Sequence, residues 1–419
     1  MEIISLLRSG FVGLASKTRA RLVWAALGLA SVGCRKDQTV SPTVGPALSA
    51  LPSADAAPPA APRGREIALL YSSNLQGRYA PCNCAVQPLG GLARRATVTA
   101  QARAEADATL VVDAGDLFQP EGTAAETERQ ANLLAAGLAG GGIDAFTPGE
   151  GDLAIGLPLL KKVTAAFKIP VVSANLYGRD GQRLFAADRL IDAAGTRIGI
   201  FGVSAPPTAA DANRWRADGI VVRDAADAAR ESAGALRARG AQLVVALVHA
   251  GLPAENRRLV AAVSGVDWVV LGHSALNLES PEPSGGARLL EAQSEGKNLG
   301  RLDLHLVGGA LTFVDRGERA EVAAILADHR RQLHDDDHTL GELDPATAEA
   351  YYQQRRRDLG AAIARETALF ARLPAEITGS WFENHIIPLD RNIPDDPGVA
   401  TLVRGYLARG LAEKRRPHL

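Results

Sequence analysis

The chain is short of several things, and each shortage narrows the reading. It lacks a charge imbalance: 46 Lys and Arg against 47 Asp and Glu leave a formal net charge of −1. A nucleic-acid binder carries a basic patch or a high pI, so no nucleic-acid partner is expected. It also lacks an apolar run long enough to cross a bilayer. The most apolar stretch, LVWAALGLASVGC, has about 13 residues against the ~20 that a helical span needs. Aromatic residues make up only 5% and the single Met is the first residue, while Ala, Arg and Gly are abundant. That bias reads as codon usage rather than function. Cysteine occurs only at 34, 82 and 84. What remains is ordinary for a globular protein: 47% hydrophobic and 22% charged residues over 419 positions, enough for one large domain with an appendage or for two.

The apolar stretch follows the basic run Lys17 to Arg21 and ends on small Ser31 and Gly33 directly before Cys34. A basic region, an apolar core and small residues at a cleavage point describe a secretory signal. Small residues leading into a Cys resemble the lipobox of bacterial lipoproteins, although Ser31 stands where Leu is usual. A plain membrane anchor is the alternative, and both readings export the protein. Residues 35–64 are Ala, Pro, Ser, Thr and Gly with almost no large apolar side chains, which cannot offset their ordering entropy and so make a flexible tether. The expectation is a signal peptide over 1–34, lipidation at Cys34, and a domain held by its lipid anchor on the periplasmic or cell-surface face of a bacterial membrane.

From Ile67 the pattern alternates strand and helix. IALLYSS, TLVVDAGD, PVVSANL, RIGIFGV, LVVALVHAG and WVVLGHSA read as strands, with LLEAQ, GRLDLHLVGG and ALTFVDR closing the set. GGLARRATVTAQARAEA, TERQANLLAAGLAGGG, LPLLKKVTAAF, DAADAARESAGALRARG and PAENRRLVAAVSG read as helices, and DAFTPGEGDLAIG as a loop. Near-continuous apolar strands with amphipathic helices between them predict an α/β fold whose sheets are covered on both faces. The domain is expected over 65–318. Residues 319–419 read as a helical extension: an antiparallel helix pair around Asp335 to Asp337, a tail whose Trp381, Phe382, Ile386 and Ile387 pack back on the body, and a last helix from Pro397 to Lys414.

Three of the strands end on metal-capable side chains. VVDAGDLFQ turns off its strand at Asp113-Ala114-Gly115-Asp116, LVVALVHAG places His249 at a strand end, and VDWVVLGHSA places His273 at another. Ligands gather outside the carboxyl ends of strands in layered α/β folds. The plain alternative is that these residues bind nothing. His305 and His385 read as packing or surface residues, and Gly90-Gly91 with Arg94 as a helix start that either holds an anion or packs tightly.

With SSNLQG, GGLARR, DAGDLFQ, DAFTPGEGD, SAN, VHAG and GHSA in this order, residues 66–315 resemble the 5'-nucleotidase branch of the calcineurin-like metallophosphoesterases. The resemblance implies a four-layer αββα sandwich and two divalent metals that clamp a phosphoryl oxygen and a water. It places the first metal on Asn74, Gln76, Asp116 and Ala275, where the family's other ligands are carboxylates and imidazoles; here only Asp116 keeps the ligand type. It places the second on Asp116, Glu150, His249 and His273, all of them competent for one Zn²⁺, Mn²⁺ or Fe²⁺. The family's general-acid His is replaced by Gly151. A one-metal site is therefore expected, and with it hydrolysis of phosphate esters, nucleotides among them. The alternative is an inactive relative that binds a ligand or handles thiols or metal. The PCNC loop adds Cys82 and Cys84 near the vacated position, as soft-metal ligands with Asn74 and Gln76, a redox pair, or a structural bridge.

Overall fold

The structure is a computed structural model and describes residues 61, 64–83, 87–309, 311–335 and 345–414. The expected signal peptide with Cys34, nearly all of the tether, and Cys84 lie outside the described residues. Along the chain come β1 (Arg65–Ser72), α1 (Leu92–Glu105), β2 (Ala108–Asp113), α2 (Ala124–Gly141), β3 (Ala145–Phe146), α3 (Glu150–Ala154) and α4 (Leu157–Ala166). Next are β4 (Leu176–Tyr177), β5 (Asp188–Ala193), β6 (Thr196–Ser204), α5 (Ala212–Ala217), β7 (Val221–Val222), α6 (Ala225–Ala238), β8 (Leu243–His249) and α7 (Pro253–Ala261). The rest are β9 (Trp268–Leu271), β10 (Glu282–Ser284), β11 (Ala287–Leu290), β12 (Asn298–Leu306), β13 (Val314–Asp315), α8 (Glu318–Asp335), α9 (Pro345–Phe370), β14 (Trp381–Pro388) and α10 (Pro397–Lys414).

Two six-stranded sheets carry the fold, ordered β13-β14-β12-β1-β2-β3 and β10-β11-β9-β8-β6-β5. The strands are apolar on both faces because both faces are covered. Between the sheets, Ile67, Leu69, Leu110 and Val112 meet Ile198, Val245, Leu247 and Val270. Outside the first sheet, Val98 and Ala102 of α1 lie on Leu70 and Val111, while Leu134 of α2 and Leu160 of α4 cover Phe146. Outside the second, Ala233 and Leu236 of α6 and Val260 of α7 cover Phe201, Val244 and Val269. Helix, sheet, sheet and helix make the expected αββα sandwich. Local chemistry sets the ends: Thr123 and Glu126 form a reciprocal capping box that starts α2. Among the described residues no helix is long and apolar enough to cross a membrane.

In each sheet the strands that matter for the site run parallel: β1, β2 and β3 in the first, β6, β8 and β9 in the second. Their carboxyl ends share one edge of the sandwich.

Several elements differ from the sequence reading. PVVSANL is not a continuous strand; it makes isolated bridges at Val171 and Val172 and the two-residue β4. ALTFVDR narrows to β13. The expected loop DAFTPGEGDLAIG contains β3 and the one-turn helix α3, closed by the Asp152 carboxylate accepting the Gly149 N–H at 2.8 Å. The largest difference lies after residue 319. β14 pairs antiparallel along nearly the whole of β12, from Asn298 opposite Pro388 to His305 opposite Trp381. Phe382 is fully buried, edge-on to Trp268 at 5.0 Å, and the Tyr71 hydroxyl donates to Asn384 Oδ1 at 2.8 Å. The segment read as a tail that packs on the body is a strand of its first sheet.

Candidate metal centre

The DAGD turn is held from below. Asp113 is fully buried; its Oδ1 accepts the Gly115 N–H at 2.9 Å and its Oδ2 accepts the Ser72 hydroxyl. Arg95, also buried, donates to Ser72 Oγ at 2.6 Å. Burial pushes the Asp113 carboxyl up to about 7 against the pull of Arg95. Asp116 follows in the left-handed region with φ of 57°, a conformation an Asp tolerates better than most side chains.

Asp152 supports that turn from the other side. It is fully buried and accepts N–H groups of Asp116 (2.7 Å), Phe118 (2.7 Å) and Gly149 (2.8 Å). Burial and the neighbouring Asp116 raise its pKa well above the usual carboxylate range. Sequence reasoning quoted Asp152 inside a motif and gave it no role. Its signal was there: an acid three residues after Gly149, able to cap the turn it belongs to.

Glu150, His249 and His273 come together. Glu150 is the first residue of α3, His249 the last of β8, and His273 sits two residues beyond β9 with φ of 70°. One ligand atom from each lies within 4.8 Å of the others. Glu150 Oε2 is 2.8 Å from His249 Nε2, and Glu150 Oε1 is 2.6 Å from His273 Nδ1. Asp116 is set beside them, its Oδ1 3.6 Å from His249 Nε2 and accepting the Gly151 N–H at 2.7 Å. Gly151 itself offers no side chain to the cluster.

The protonation states follow from this packing. Burial disfavours a charged His249, but the Glu150 carboxylate beside it and the charge of Asp116 outweigh that and push it up to about 9. Burial likewise opposes the Glu150 charge, yet the two imidazoles hold its carboxyl well below the usual range. His273 is raised, chiefly by its hydrogen bond to Glu150. Without an ion, the imidazoles hold protons against the Glu150 carboxylate.

A divalent cation fits this donor set. His249 is fully buried, and its Nδ1 faces the Ala114 carbonyl at 2.7 Å, which fixes that nitrogen as the N–H donor. Nε2 is thereby the ring nitrogen turned to the site, buried and 2.8 Å from Glu150 Oε2, and it is the atom a metal would take in place of the proton shared with Glu150. The space around it is kept by glycine. A Cβ on Gly149 would lie 2.3 Å from Asp116 Oδ1 and 2.6 Å from His249 Nε2, and one on Gly272 would lie 2.4 Å from His249 Nδ1. One carboxylate oxygen and two imidazole nitrogens, with a second carboxylate adjacent, suit Zn²⁺, Mn²⁺ or Fe²⁺.

Among the described residues, those expected at a first metal position do not assemble a second ligand set. Asn74 is buried, but its Oδ1 accepts the His273 backbone N–H at 2.9 Å and so braces the other site. Gln76 and Ala275 are exposed. Cys82 is disulfide-bonded, and a bonded sulfur offers no thiolate to a metal. Glu291 was missed by the sequence reading, which saw only a closing strand. It is fully buried behind the His273 loop, accepts the Ser274 hydroxyl at 2.7 Å, and is pushed by burial up to about 7.

The remaining candidates make contacts away from the cluster. His305 stacks on Trp381 with centroids 3.5 Å apart, and His385 is exposed near Glu383. Arg94 spends its guanidinium on the Pro88 and Leu389 carbonyls, each at 2.9 Å, which favours packing over anion binding. A cleft of about 220 Å³ opens onto Glu150 and His273 from the side of the β6 and β8 loops.

No family model matches the chain. Over 260 residues it is 26% identical to the 5'-nucleotidase of Vibrio vulnificus, a match covering 54% of this chain and 46% of that protein. The chain thus spans less than half the length of that relative. The solved calcineurin-like phosphoesterase YfkN of Bacillus subtilis superposes with a TM-score of 0.53 at 16% identity, covering 85% of this chain and 100% of that one. The sulfate thiohydrolase SoxB of Thermus thermophilus superposes with a TM-score of 0.59 at 16% identity, covering 83% and 61%. The chain has the fold of the 5'-nucleotidases and calcineurin-like phosphoesterases.

Proposed function

We propose that this chain is an exported, lipid-anchored hydrolase of phosphate esters that works with one divalent metal held by Glu150, His249 and His273, with Asp116 adjacent. The observation that carries the reading is the convergence of Glu150, His273 and Asp116 on the buried His249 Nε2 within a cradle of glycines. Relatives named as 5'-nucleotidases point to phosphate esters, nucleotides among them. The anchor rests on the sequence ending at Cys34.

When bound there, a divalent ion supplies Lewis acidity and a water of lowered pKa. The chain's own residues do the rest. The Ala114 carbonyl holds the His249 ring so that Nε2 faces the site. Asn74 fixes the His273 backbone, and Asp152 fixes the turn carrying Asp116. In the reaction a water oxygen bonds to phosphorus and gives up a proton to solvent, the phosphorus–oxygen bond to the leaving group breaks, and the leaving alcohol or phenol takes a proton from solvent. Solvent is the donor because Gly151 carries no acid. This makes alkyl esters, nucleotides included, slower substrates than esters of acidic phenols.

The loss of the first ligand set and of the acid favours a second reading, a domain that binds metal or ligand without turnover. Elemental analysis of the full chain, purified without chelators, and hydrolysis of 4-nitrophenyl phosphate with added Mn²⁺ separate the two. The hydrolase reading expects about one equivalent of metal, lost in His273→Ala, and turnover lost in His249→Ala. Metal without turnover selects the second reading; neither metal nor turnover overturns both.

A further inference from the structure

The cleft beside the cluster lies outside the carboxyl ends of β6 and β8, where ligands gather in parallel sheets. Its floor is Glu150 and His273, and its walls include Thr208, Trp215, Leu252 and Glu255. Its volume of about 220 Å³ falls below the roughly 300–1,000 Å³ of sites for drug-sized ligands, so it holds a compact group. None of the lining residues is Lys or Arg. With Glu150 turned to the cation, the fixed charge left in the walls is that of Glu255, whose Oε2 accepts the Leu252 N–H at 3.0 Å. Trp215 is almost wholly buried and presents an apolar wall, whereas Leu252 stands 62% exposed at the rim.

We infer that this cleft is the leaving-group subsite, selecting compact neutral or cationic leaving groups and rejecting anionic ones. The inference rests on the hydrolase reading above and adds its substrate class. A phosphoryl group on the cluster leaves the ester oxygen facing the cleft, the space contiguous with Glu150 and His273. An anionic leaving group, such as a second phosphate or a carboxylate, would meet Glu255 in walls that hold no Lys or Arg to offset it, while the cation on the floor is taken up by the phosphoryl group. A cationic or hydroxylated group would find one carboxylate acceptor and an indole wall.

The test is a series of phenyl phosphates bearing aminomethyl, hydroxymethyl or carboxymethyl groups in the para position, where the methylene keeps the leaving-group acidity nearly constant. A biphenyl phosphate adds bulk. Full-length protein with Mn²⁺ is expected to show kcat/KM at least about tenfold higher for the aminomethyl than for the carboxymethyl ester, hydroxymethyl between them, and biphenyl poorest of the neutral pair. Leu252→Lys puts a cation at the exposed rim without touching the core, and is expected to reverse the charge order while metal content stays the same. Equal kcat/KM across the series, or an order unchanged by Leu252→Lys, overturns the subsite and leaves the hydrolase standing. Turnover of none of the esters overturns both.

Discussion

The cluster's proton inventory predicts how its metal affinity depends on pH. His249 is held near 9 by Glu150 and Asp116, so at pH 7 the ion must displace a proton from it. That costs about 1.4 kcal/mol per pH unit below the folded pKa, about 2.7 kcal/mol at pH 7. Apparent affinity should therefore climb about tenfold per unit, about a hundredfold between pH 7 and 9. His273, also raised, can only steepen this. Glu150 adds no pH dependence in this range, because its depressed pKa keeps it ionised. The stability of the metal-free protein should move the opposite way. The folded pKa of about 9 lies above the ordinary 6.5, so the stabilisation is fully present below about 6.5 and is lost as pH rises through 9. Calorimetric titration with Mn²⁺ at pH 6.5, 7.5 and 8.5, in two buffers of different ionisation enthalpy, measures both affinity and protons released. The expected release at pH 7.5 is about one proton or more. In Glu150→Gln, affinity is weaker but its pH dependence flattens, since the partner that holds the proton is gone. A flat affinity with no proton release in the wild type would refute the geometry, because a neutral His249 is incompatible with a carboxylate 2.8 Å from Nε2.

Other perturbations isolate single supports. Gly149 has an ordinary φ of −97°, so Gly149→Ala tests sterics alone; its methyl, placed 2.3 Å from Asp116 Oδ1, should abolish metal binding while the thermal midpoint of the metal-free protein drops only modestly. Undiminished metal content in that variant would mean the cradle is not needed. Asp152→Ala orphans three buried N–H groups at about 1–3 kcal/mol each, so chemical denaturation should show a loss of several kcal/mol, with Asp152→Asn recovering much of it. Equal stability of the two variants would remove Asp152 as the anchor. Rates across phenyl phosphates should fall steeply as the leaving phenol becomes less acidic, because Gly151 supplies no proton; a flat dependence would reveal an acid elsewhere. Truncation after Gly317 should yield insoluble or unfolded protein, since it strips β14 from β12 and Phe382 from the core; a soluble fragment with an unchanged circular dichroism melt would contradict this.

The sandwich and three members of the cluster were legible in the sequence for one physical reason. Strands buried on both faces must be written as apolar runs, and each run here stops at the residue that leaves the core, which is where ligands stand. Asp113, Asp152 and Glu291 were harder to read, because a buried carboxylate that accepts backbone N–H groups looks in sequence like any acid near a turn. Only the three N–H groups converging on Asp152, or the hydroxyl of Ser72 backed by Arg95, distinguish a strut from a ligand. β14 escaped notice for a different reason. Trp381-Phe382 and Ile386-Ile387 flank Glu383-Asn384-His385, so period-two alternation fails, and pairing with β12 is a contact across 76 to 90 residues that no local pattern encodes. Its burial of Phe382 against Trp268 nonetheless ties the segment after residue 319 to the strand that delivers His273. The helical extension is therefore not an ornament on a finished domain. It completes the sheet partner on which β9 rests, and the position of His273 depends on residues more than a hundred positions further along the chain.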